Sequence, residues 1–253
     1  MESKSVQLDI SLLPQEAVNR ENKCIIVLDI LRASSTIVTA FDAGCKSVLP
    51  VATVEEARQL KDENPAMLLC GERNGLPPQG FDLGNSPVEY TAQTVSGKDL
   101  ILTTSNGTRA ILGAERNSTV LIGSFLNLDA VLEKALSTGR DILIQCAGTD
   151  GAFSLEDTFA AALFTDAFNR RVCNLDIGDG ARWALYSVKG MAPVKDDFST
   201  FEIQTVLRNS AHGKRLAAAG FDDDLTFCAR QDTTDVVPYL NADKLIVNKS
   251  EKE

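Results

Sequence analysis

The sequence predicts an α/β fold with a largely parallel, buried sheet and helices on both faces. Runs such as CIIVLD, DLILTT and DILIQC are almost wholly apolar, which is typical of strands buried on both faces of a parallel sheet. Segments with helical periodicity alternate with these runs, as in βαβ proteins. The 253 residues, 44% hydrophobic and 24% charged, are enough to bury a sizeable core.

The predicted elements follow from short β-branched runs and from helix-start signals. The expected strands are Ser5–Ile10, Cys24–Asp29, Ser47–Val51, Ala66–Cys70, Leu100–Thr103, Thr119–Ile122, Asp141–Cys146, Leu225–Cys228 and Lys244–Val247. The expected helices are Ser34–Ala43, Val54–Asp62, Pro87–Thr94, Thr108–Glu115, Leu128–Leu136, Leu155–Arg170 and Asp179–Lys189. Capping boxes at Thr53–Glu56 and Ser154–Asp157, and Ser86 as a cap before Pro87, mark three of the starts.

The last hundred residues differ in pattern from the rest of the chain. Helix signals dominate after Cys146, including an amphipathic stretch from Phe198 to Ala219, before strand signals return. We therefore expect an α/β lobe over residues 1–150 and a helix-rich C-terminal lobe over residues 151–253 that closes the site. A second α/β lobe in place of the helix-rich one, and a single integrated domain, remain the alternatives.

Charge and cysteine content exclude several classes of function. The net charge of −10 and the pI near 4.7 disfavour binding to nucleic acid or to an anionic membrane. No apolar run approaches the length of a membrane span, and the first residues lack the pattern of a secretory signal. We expect a soluble cytoplasmic protein with reduced cysteines. A zinc site is disfavoured because His212 is the single histidine.

Four polar segments follow apolar strands, at the positions where ligands bind in open α/β sheets. In the first, Asp29 ends a strand and is followed by Arg32 and Ser34, a pattern that suits metal and phosphate binding. The alternative is that Ser34 only caps a helix and Arg32 is solvated. The second, residues 70–87, is a long loop rich in glycine and proline. Loops of this kind are often functional.

Spacing does not show which residue of the second segment faces a ligand: Glu72, Asp82 or Asn85. The third segment, residues 103–109, is a hydroxyl-rich turn before a helix. This turn would either present hydrogen-bond donors to an anion or form only an Asn-Gly turn and a helix cap. It is not a Walker A loop, because the chain contains no G-x-x-x-x-G-K-[ST] pattern.

The fourth segment, residues 146–157, joins a buried strand to a capped helix. Asp157 is expected to be the acid of the capping box, which leaves Glu156 for a ligand. Cys146 stands where a nucleophile would, but no histidine is near it in the sequence, so we expect a structural role. For His212, in a helical stretch, we expect a place on the surface or in the core.

The chain lacks the patterns of several phosphatase classes. No arginine stands six residues after any cysteine, and Asp29 is not followed by a second aspartate at position 31. A single histidine does not support a binuclear zinc or iron centre. The remaining carboxylates, hydroxyls and arginines favour a hard divalent ion with oxygen ligands, Mg²⁺ before Mn²⁺.

These segments resemble the 2-phosphosulfolactate phosphatase family. The matching stretches are LDILRASSTIVTA, GERNGLPPQGFDLGNSPVEY, TTSNGTRAI, CAGTDGAFSLED and, more weakly, GKRLAAAGFDDDLTFCA. The resemblance implies an α/β fold and Mg²⁺-dependent hydrolysis of 2-phospho-3-sulfolactate to 3-sulfolactate and phosphate, a reaction of coenzyme M biosynthesis. A phosphatase for another 2-phospho acid, such as phospholactate, and a non-catalytic anion-binding protein remain alternatives.

Such a substrate carries a charge of about −4, so the expected site combines a metal ion with arginines. The expected catalytic residues are Asp29, Arg32 and Glu156. The expected Mg²⁺ ligands are Asp29, Glu72 and Asp82. The expected substrate-binding residues are Ser34, Arg73, Ser105, Asn106 and Arg109. Whether water or a carboxylate such as Asp29 attacks the phosphorus is left open, and so is a homodimer.

Overall fold

The strands of the protein form one mixed, mostly parallel sheet. The computed structural model describes residues 5–16, 18–113, 117–191 and 198–247. The strands are β1 Val6–Ser11, β2 Cys24–Leu28, β3 Ser47–Pro50, β4 Leu68–Gly71, β5 Asp99–Thr103, β6 Thr119–Gly123, β7 Ile142–Cys146, β8 Leu175–Ile177, β9 Tyr239–Asn241 and β10 Lys244–Ile246. Within the described residues, the sheet order is β4-β5-β3-β10-β9-β6-β2-β7-β1-β8.

Strand β2 lies at the centre of the larger parallel group. It pairs in parallel with β6 and with β7, and every residue of β2 and β7 is buried. The C-terminal hairpin of β9 and β10 enters the sheet antiparallel to its neighbours β6 and β3. It therefore joins the group around β2 to a second parallel group formed by β3, β5 and β4.

Helices cover both faces of this sheet, as the sequence predicts. They are α1 Ala33–Asp42, α2 Val54–Glu63, α3 Ala92–Val95, α4 Gly107–Leu112, α5 Leu128–Ser137, α6 Leu155–Arg171, α7 Asp179–Met191, α8 Thr200–Asn209, α9 Ala211–Ala218 and α10 Asp222–Cys228. Side chains of β2 alternate between two cores. Ile26 lies in the core that includes Phe164 of α6, and Ile25 lies in the core that includes Ile37 of α1. The prediction of the fold class is confirmed.

The predicted strand Leu225–Cys228 is wrong, because these residues form the end of helix α10. Three acidic residues, Asp222 to Asp224, occupy its first turn, where negative charge interacts favourably with the helix dipole. Leu225 and Cys228, three residues apart, are both buried in the core. A short apolar run does not distinguish a strand from a buried helical face.

The predicted helix Pro87–Thr94 is interrupted. A 3₁₀ turn at Pro87–Glu89 is followed by α3, and between them the Tyr90 hydroxyl donates a hydrogen bond to the Gly84 carbonyl at 2.7 Å. Ser86 makes no capping hydrogen bond with its side chain. It donates instead to Asp224 at 2.5 Å.

The amphipathic stretch from Phe198 to Ala219 contains two helices rather than one. Ser210 ends α8 and starts α9, where its hydroxyl accepts a hydrogen bond from the Gly213 amide at 2.9 Å. This break reorients α9, whose buried Leu216 also lines the candidate site described below.

Sequence patterns miss strands β8 and β9, each of which has three residues. Strand β8 pairs with β1, so the C-terminal part of the chain adds strands to the same sheet as the N-terminal part. The division at residue 150 stays a prediction. None of the helices in the described ranges is long and apolar enough to cross a membrane.

Candidate active site

A polar cleft lies at the carboxyl ends of β2, β4, β5 and β7, where the sequence predicts a site. Its volume is about 280 Å³. Helix α9 borders it on one side. The described residues that line the cleft are Asp29, Leu31, Arg32, Glu72, Asn74, Gly75, Asn85, Ser105, Asn106, Asp150, His212, Arg215, Leu216 and Ala219. The four predicted polar segments therefore all reach it.

Asp29 follows β2 and stands at the start of α1. Its Oδ1 accepts a hydrogen bond from the Ala33 amide at 3.2 Å. Burial, together with the negative charges of Glu72 and Glu156, raises the pKa of Asp29 to about 7. Ser34 bonds back to this residue: its hydroxyl donates to the Asp29 carbonyl at 2.8 Å and accepts from the Asp29 amide at 3.0 Å. Ser34 therefore fixes the turn and does not line the cleft.

Arg32 is a buried arginine with fixed partners. Its Nη1 donates to Asp224 Oδ2 at 2.6 Å and its Nη2 to the Gly75 carbonyl at 2.7 Å. The guanidinium lies 4.3 Å from the centre of the Phe221 ring, and only 2% of the residue is exposed. The Ser86 hydroxyl binds the other oxygen of Asp224. Arg32 thus holds α10 against the loops that follow β2 and β4.

The Glu72 carboxylate joins two of the site loops. Its Oε2 accepts from the Gly75 amide at 2.8 Å, and its Oε1 accepts from the Ser105 amide at 2.7 Å. Because β4 and β5 are neighbours in the sheet, this carboxylate fixes both loops at the edge of the cleft. Each oxygen keeps a further lone pair for a cation.

Asn85 lines the cleft and carries a buried, unpartnered amide oxygen. The residue is 4% exposed, and no described residue donates a hydrogen bond to its Oδ1. Its backbone is held, since its carbonyl accepts from the Thr36 hydroxyl at 2.9 Å. A buried polar atom without a partner costs about 1–3 kcal/mol, so this oxygen is a candidate for contact with a ligand.

Two further contacts bring the end of β5 against those of β2 and β7, although four strands separate β5 from β2 in the sheet. The Asn106 Oδ1 accepts from the Asp150 amide at 3.1 Å. At Gly107, a Cβ would lie 2.7 Å from Asp29 Oδ2 and 2.5 Å from the Cβ of Ala33. Glycine is therefore required for this close approach.

Helix α9 contributes a histidine and an arginine. Arg215 Nη1 lies 3.0 Å from Asp150 Oδ2, and Arg215 Nη2 lies 3.2 Å from His212 Nδ1. Burial, with the positive charges of Arg215 and Arg32, lowers the pKa of His212. The expected surface or core position of His212 is corrected by its place in the cleft wall.

Besides Ser34, and Glu156 described below, three more predicted site residues do not line the cleft. Asp82 forms an ion pair with Lys61 at 3.0 Å and accepts from the Leu69 amide at 2.8 Å. Arg73 donates to the Thr103 hydroxyl at 2.8 Å and to the carbonyl of residue 72 at 2.7 Å. Arg109 is exposed on α4. The structure therefore does not bring Asp82 to Asp29, and it leaves the predicted roles of Arg73 and Arg109 without support.

The capping-box prediction at Ser154–Asp157 is half right. Ser154 accepts a hydrogen bond from the Asp157 amide at 3.2 Å. The Asp157 carboxylate, however, does not cap the helix, because it accepts from the amides of Ile30 at 2.9 Å and Gly148 at 3.1 Å. Glu156 is buried beside it and outside the cleft lining, close enough for its charge to act on Asp29.

Cys146 ends β7 in a wholly buried position. Burial and the charge of Asp157 raise the pKa of its thiol well above the ordinary range, which opposes formation of the reactive thiolate. These observations support the predicted structural role, which itself stays a prediction.

Residue-type reasoning missed Arg215, Asp224 and Asp150, and misassigned His212. Arg215 and Asp224 lie in the weakly matching stretch GKRLAAAGFDDDLTFCA. Its resemblance to the family could have indicated these two residues. The stretch follows no apolar strand, however, so the expectation that ligands bind at strand ends did not select it.

The cleft has a mixed charge. Among the described residues that line it, three carboxylates (Asp29, Glu72 and Asp150) face two guanidinium groups (Arg32 and Arg215). No group of three side chains suited to a metal ion converges within the described ranges. A site for Mg²⁺ with one or two carboxylates and water or phosphate ligands needs no such group.

Comparison with known proteins gives a consistent result. The model of the 2-phosphosulpholactate phosphatase family matches residues 11–243. A protein of Thermotoga petrophila named "Probable 2-phosphosulfolactate phosphatase" is 42% identical over 233 residues, which cover 92% of this chain and 95% of the relative. Proteins of the same name from Clostridium acetobutylicum and Carboxydothermus hydrogenoformans are 40% and 36% identical, over 89% and 97% of this chain and 93% and 98% of the relatives.

Proposed function

We propose, on the premise that the chain belongs to the 2-phosphosulfolactate phosphatase family, that its cleft hydrolyses 2-phospho-3-sulfolactate to 3-sulfolactate and phosphate. The chain is accordingly a phosphoric monoester hydrolase. The reaction is a step of coenzyme M biosynthesis. The observation that carries the proposal is the unpartnered Asn85 amide in a cleft that also holds Asp29 and two guanidinium groups.

The charge of the cleft supports a divalent cation as cofactor. The proposed substrate carries about −4, whereas the carboxylates that line the cleft outnumber its guanidinium groups. A polyanion would be repelled from such a cleft unless a further cation were bound with it. We propose that this cation is Mg²⁺.

The residues present fit Mg²⁺, which prefers hard oxygen ligands and is commonly held by one or two carboxylates plus substrate phosphates. Asp29 and Glu72 would hold it, and the unpartnered oxygen of Asn85 offers a carbonyl ligand. Among the described residues, none donates a hydrogen bond to Asp29 Oδ2, so this oxygen is available. When bound, the ion neutralises charge on the phosphoryl group.

We propose that Arg32 binds a phosphoryl oxygen. Two of its five N–H groups are used by Asp224 and Gly75. Because the residue lines the cleft, we propose that a remaining donor bonds to the ligand. Because its partners fix the guanidinium before substrate binds, little reorganisation accompanies charge development in the transition state. Asn106 and Ser105, both in the cleft wall, provide further polar contacts.

A phosphate-release screen tests this function. Wild-type protein is assayed with 2-phospho-3-sulfolactate, with 2-phospholactate and with a simple phosphomonoester. We expect the highest kcat/KM for phosphosulfolactate. Equal rates on all three would contradict the substrate assignment, and release from none would contradict the enzymatic function. In the same assay Asp29→Asn should lose turnover. Asp235→Asn, at an exposed position outside the cleft lining, is its matched control.

A further inference from the structure

One face of α9 borders the mouth of the cleft. His212, Arg215, Leu216 and Ala219 all line it, and their spacing of three, four and seven residues places them on one side of the helix. The proposed function has not used this face. Its two polar side chains lie on a different element from Asp29, Glu72 and Arg32, which the proposed function assigns to the phosphoryl group and the metal ion.

The contact between Arg215 and His212 determines the tautomer of the histidine. A guanidinium group only donates hydrogen bonds, so His212 Nδ1, 3.2 Å from Arg215 Nη2, accepts one. The neutral ring then carries its proton on Nε2. The lowered pKa of His212 keeps the ring neutral near pH 7. His212 is thus a hydrogen-bond donor through Nε2, as an anionic oxygen requires.

The two arginines of the cleft are held in different ways. The ion pair of Arg32 with Asp224 has side chains 1% and 2% exposed, and it is fixed by burial. The ion pair of Arg215 with Asp150 has side chains 56% and 65% exposed. Solvent-exposed ion pairs contribute little to stability. Arg215 can therefore exchange Asp150 for an anion at small cost.

We propose that His212 and Arg215 bind the sulfonate of the substrate and select for it against 2-phospho acids that lack this group. The inference rests on the proposed function. Arg73 and Arg109 do not line the cleft. Arg32 is held by Asp224, and its charge acts on Asp29, which the proposed function assigns to the phosphoryl side. Among the described residues, Arg215 is the remaining arginine in the cleft wall, and its fork suits a sulfonate.

Substrate pairs test this assignment. For Arg215→Ala we expect kcat/KM on 2-phospho-3-sulfolactate to fall about 10- to 100-fold, mainly through KM, because a charge-assisted hydrogen bond felt equally in ground and transition states is lost. On 2-phospholactate we expect a change of less than about 3-fold. His212→Phe should show the same selectivity with a smaller loss, and His212→Gln, which retains an N–H donor, should be closer to wild type.

Lys214→Ala is the matched control, since Lys214 is an exposed cation on the same helix and outside the cleft lining. It should leave both substrates unaffected. An equal loss of kcat/KM on both substrates in Arg215→Ala would overturn the proposal, because Arg215 would then act on the phosphoryl group or on the fold.

Calorimetric binding of 3-sulfolactate and of lactate separates this inference from the proposed function. We expect 3-sulfolactate to bind to the wild-type protein at least 10-fold more tightly than it binds to Arg215→Ala. This result would support the inference even if no turnover were seen and the proposed function failed. Turnover with equal affinity of both proteins for 3-sulfolactate would overturn the inference alone, and absence of both turnover and binding would overturn both.

Discussion

Arg32 and Asp224 lie 192 positions apart in the chain and form a buried ion pair at 2.6 Å. The pair fixes helix α10 against the loop that follows β2, and the same carboxylate binds the Ser86 hydroxyl of the loop after β4. Three distant segments therefore meet at one carboxylate, directly behind the cleft. The geometry of the site depends on this contact.

Asp224→Asn should destabilise the fold strongly. Removing one charge of a buried ion pair leaves the other uncompensated, at a cost of about 3–5 kcal/mol. Urea unfolding measures the change in the free energy of unfolding. The neighbouring exposed Asp223→Asn is the control and should stay within about 0.5 kcal/mol of wild type. Similar effects of the two substitutions would contradict a buried, paired role for Asp224.

Gly107→Ala should disturb the site through packing. The new Cβ would lie 2.7 Å from Asp29 Oδ2 and 2.5 Å from the Ala33 Cβ, so the loop or the carboxylate must move. We expect a loss of about 1–3 kcal/mol in the free energy of unfolding together with reduced turnover. Gly190→Ala, at a helical position with open space around it, should be neutral or slightly stabilising. Wild-type stability and turnover in Gly107→Ala would refute the close approach.

The raised pKa of Asp29 predicts a pH dependence of stability in metal-free protein. Its folded pKa of about 7 lies above the ordinary value of 3.8, so the folded state binds more protons between these values. The contribution of Asp29 to the free energy of unfolding is fully present below about pH 4 and is lost as the pH rises through 7. Asp29→Asn should therefore gain stability relative to wild type from pH 4 to 7, measured by unfolding in EDTA. A constant difference between the two proteins would argue against the raised pKa.

The cysteines should be dispensable for turnover. Cys146 is buried with a raised pKa, whereas Cys173 is exposed. We expect iodoacetamide to label Cys173 in the native protein without loss of activity, and Cys173→Ser to prevent that labelling. Cys146→Ser should keep most of its turnover. A thousandfold loss in a folded Cys146→Ser protein would instead make this thiol catalytic.

Sequence patterns predicted the parts of the fold that depend on local periodicity. Strand β2 is wholly apolar, and its predicted range differs from the structure by one residue. The short run at Leu225 was misassigned because four apolar-rich residues fit a strand and a buried helical face equally well. The hairpin strand β9 was missed because it is short and half-exposed.

The site was predicted where residues lie within three positions of a strand end, as Asp29 and Asn106 do. Sequence alone did not show which way a loop side chain points: Asp82 turns to Lys61, 21 positions away, and Arg73 turns to Thr103. Nor did it show that a separate helix would bring Arg215 to the cleft. Such contacts are set by tertiary packing, which local patterns do not encode.

Phosphate release from 2-phospho-3-sulfolactate by wild type and by Asp29→Asn, with Mg²⁺ and after exhaustive chelation, tests the central claim most directly. We predict turnover by wild type that is lost on chelation, restored by Mg²⁺ and not restored by Zn²⁺. Asp29→Asn should remain folded and lose turnover by about a thousandfold, on the scale of other removed charge-stabilising groups. Full turnover by chelated wild type, or by Asp29→Asn, would contradict a metal-assisted phosphatase site at this carboxylate.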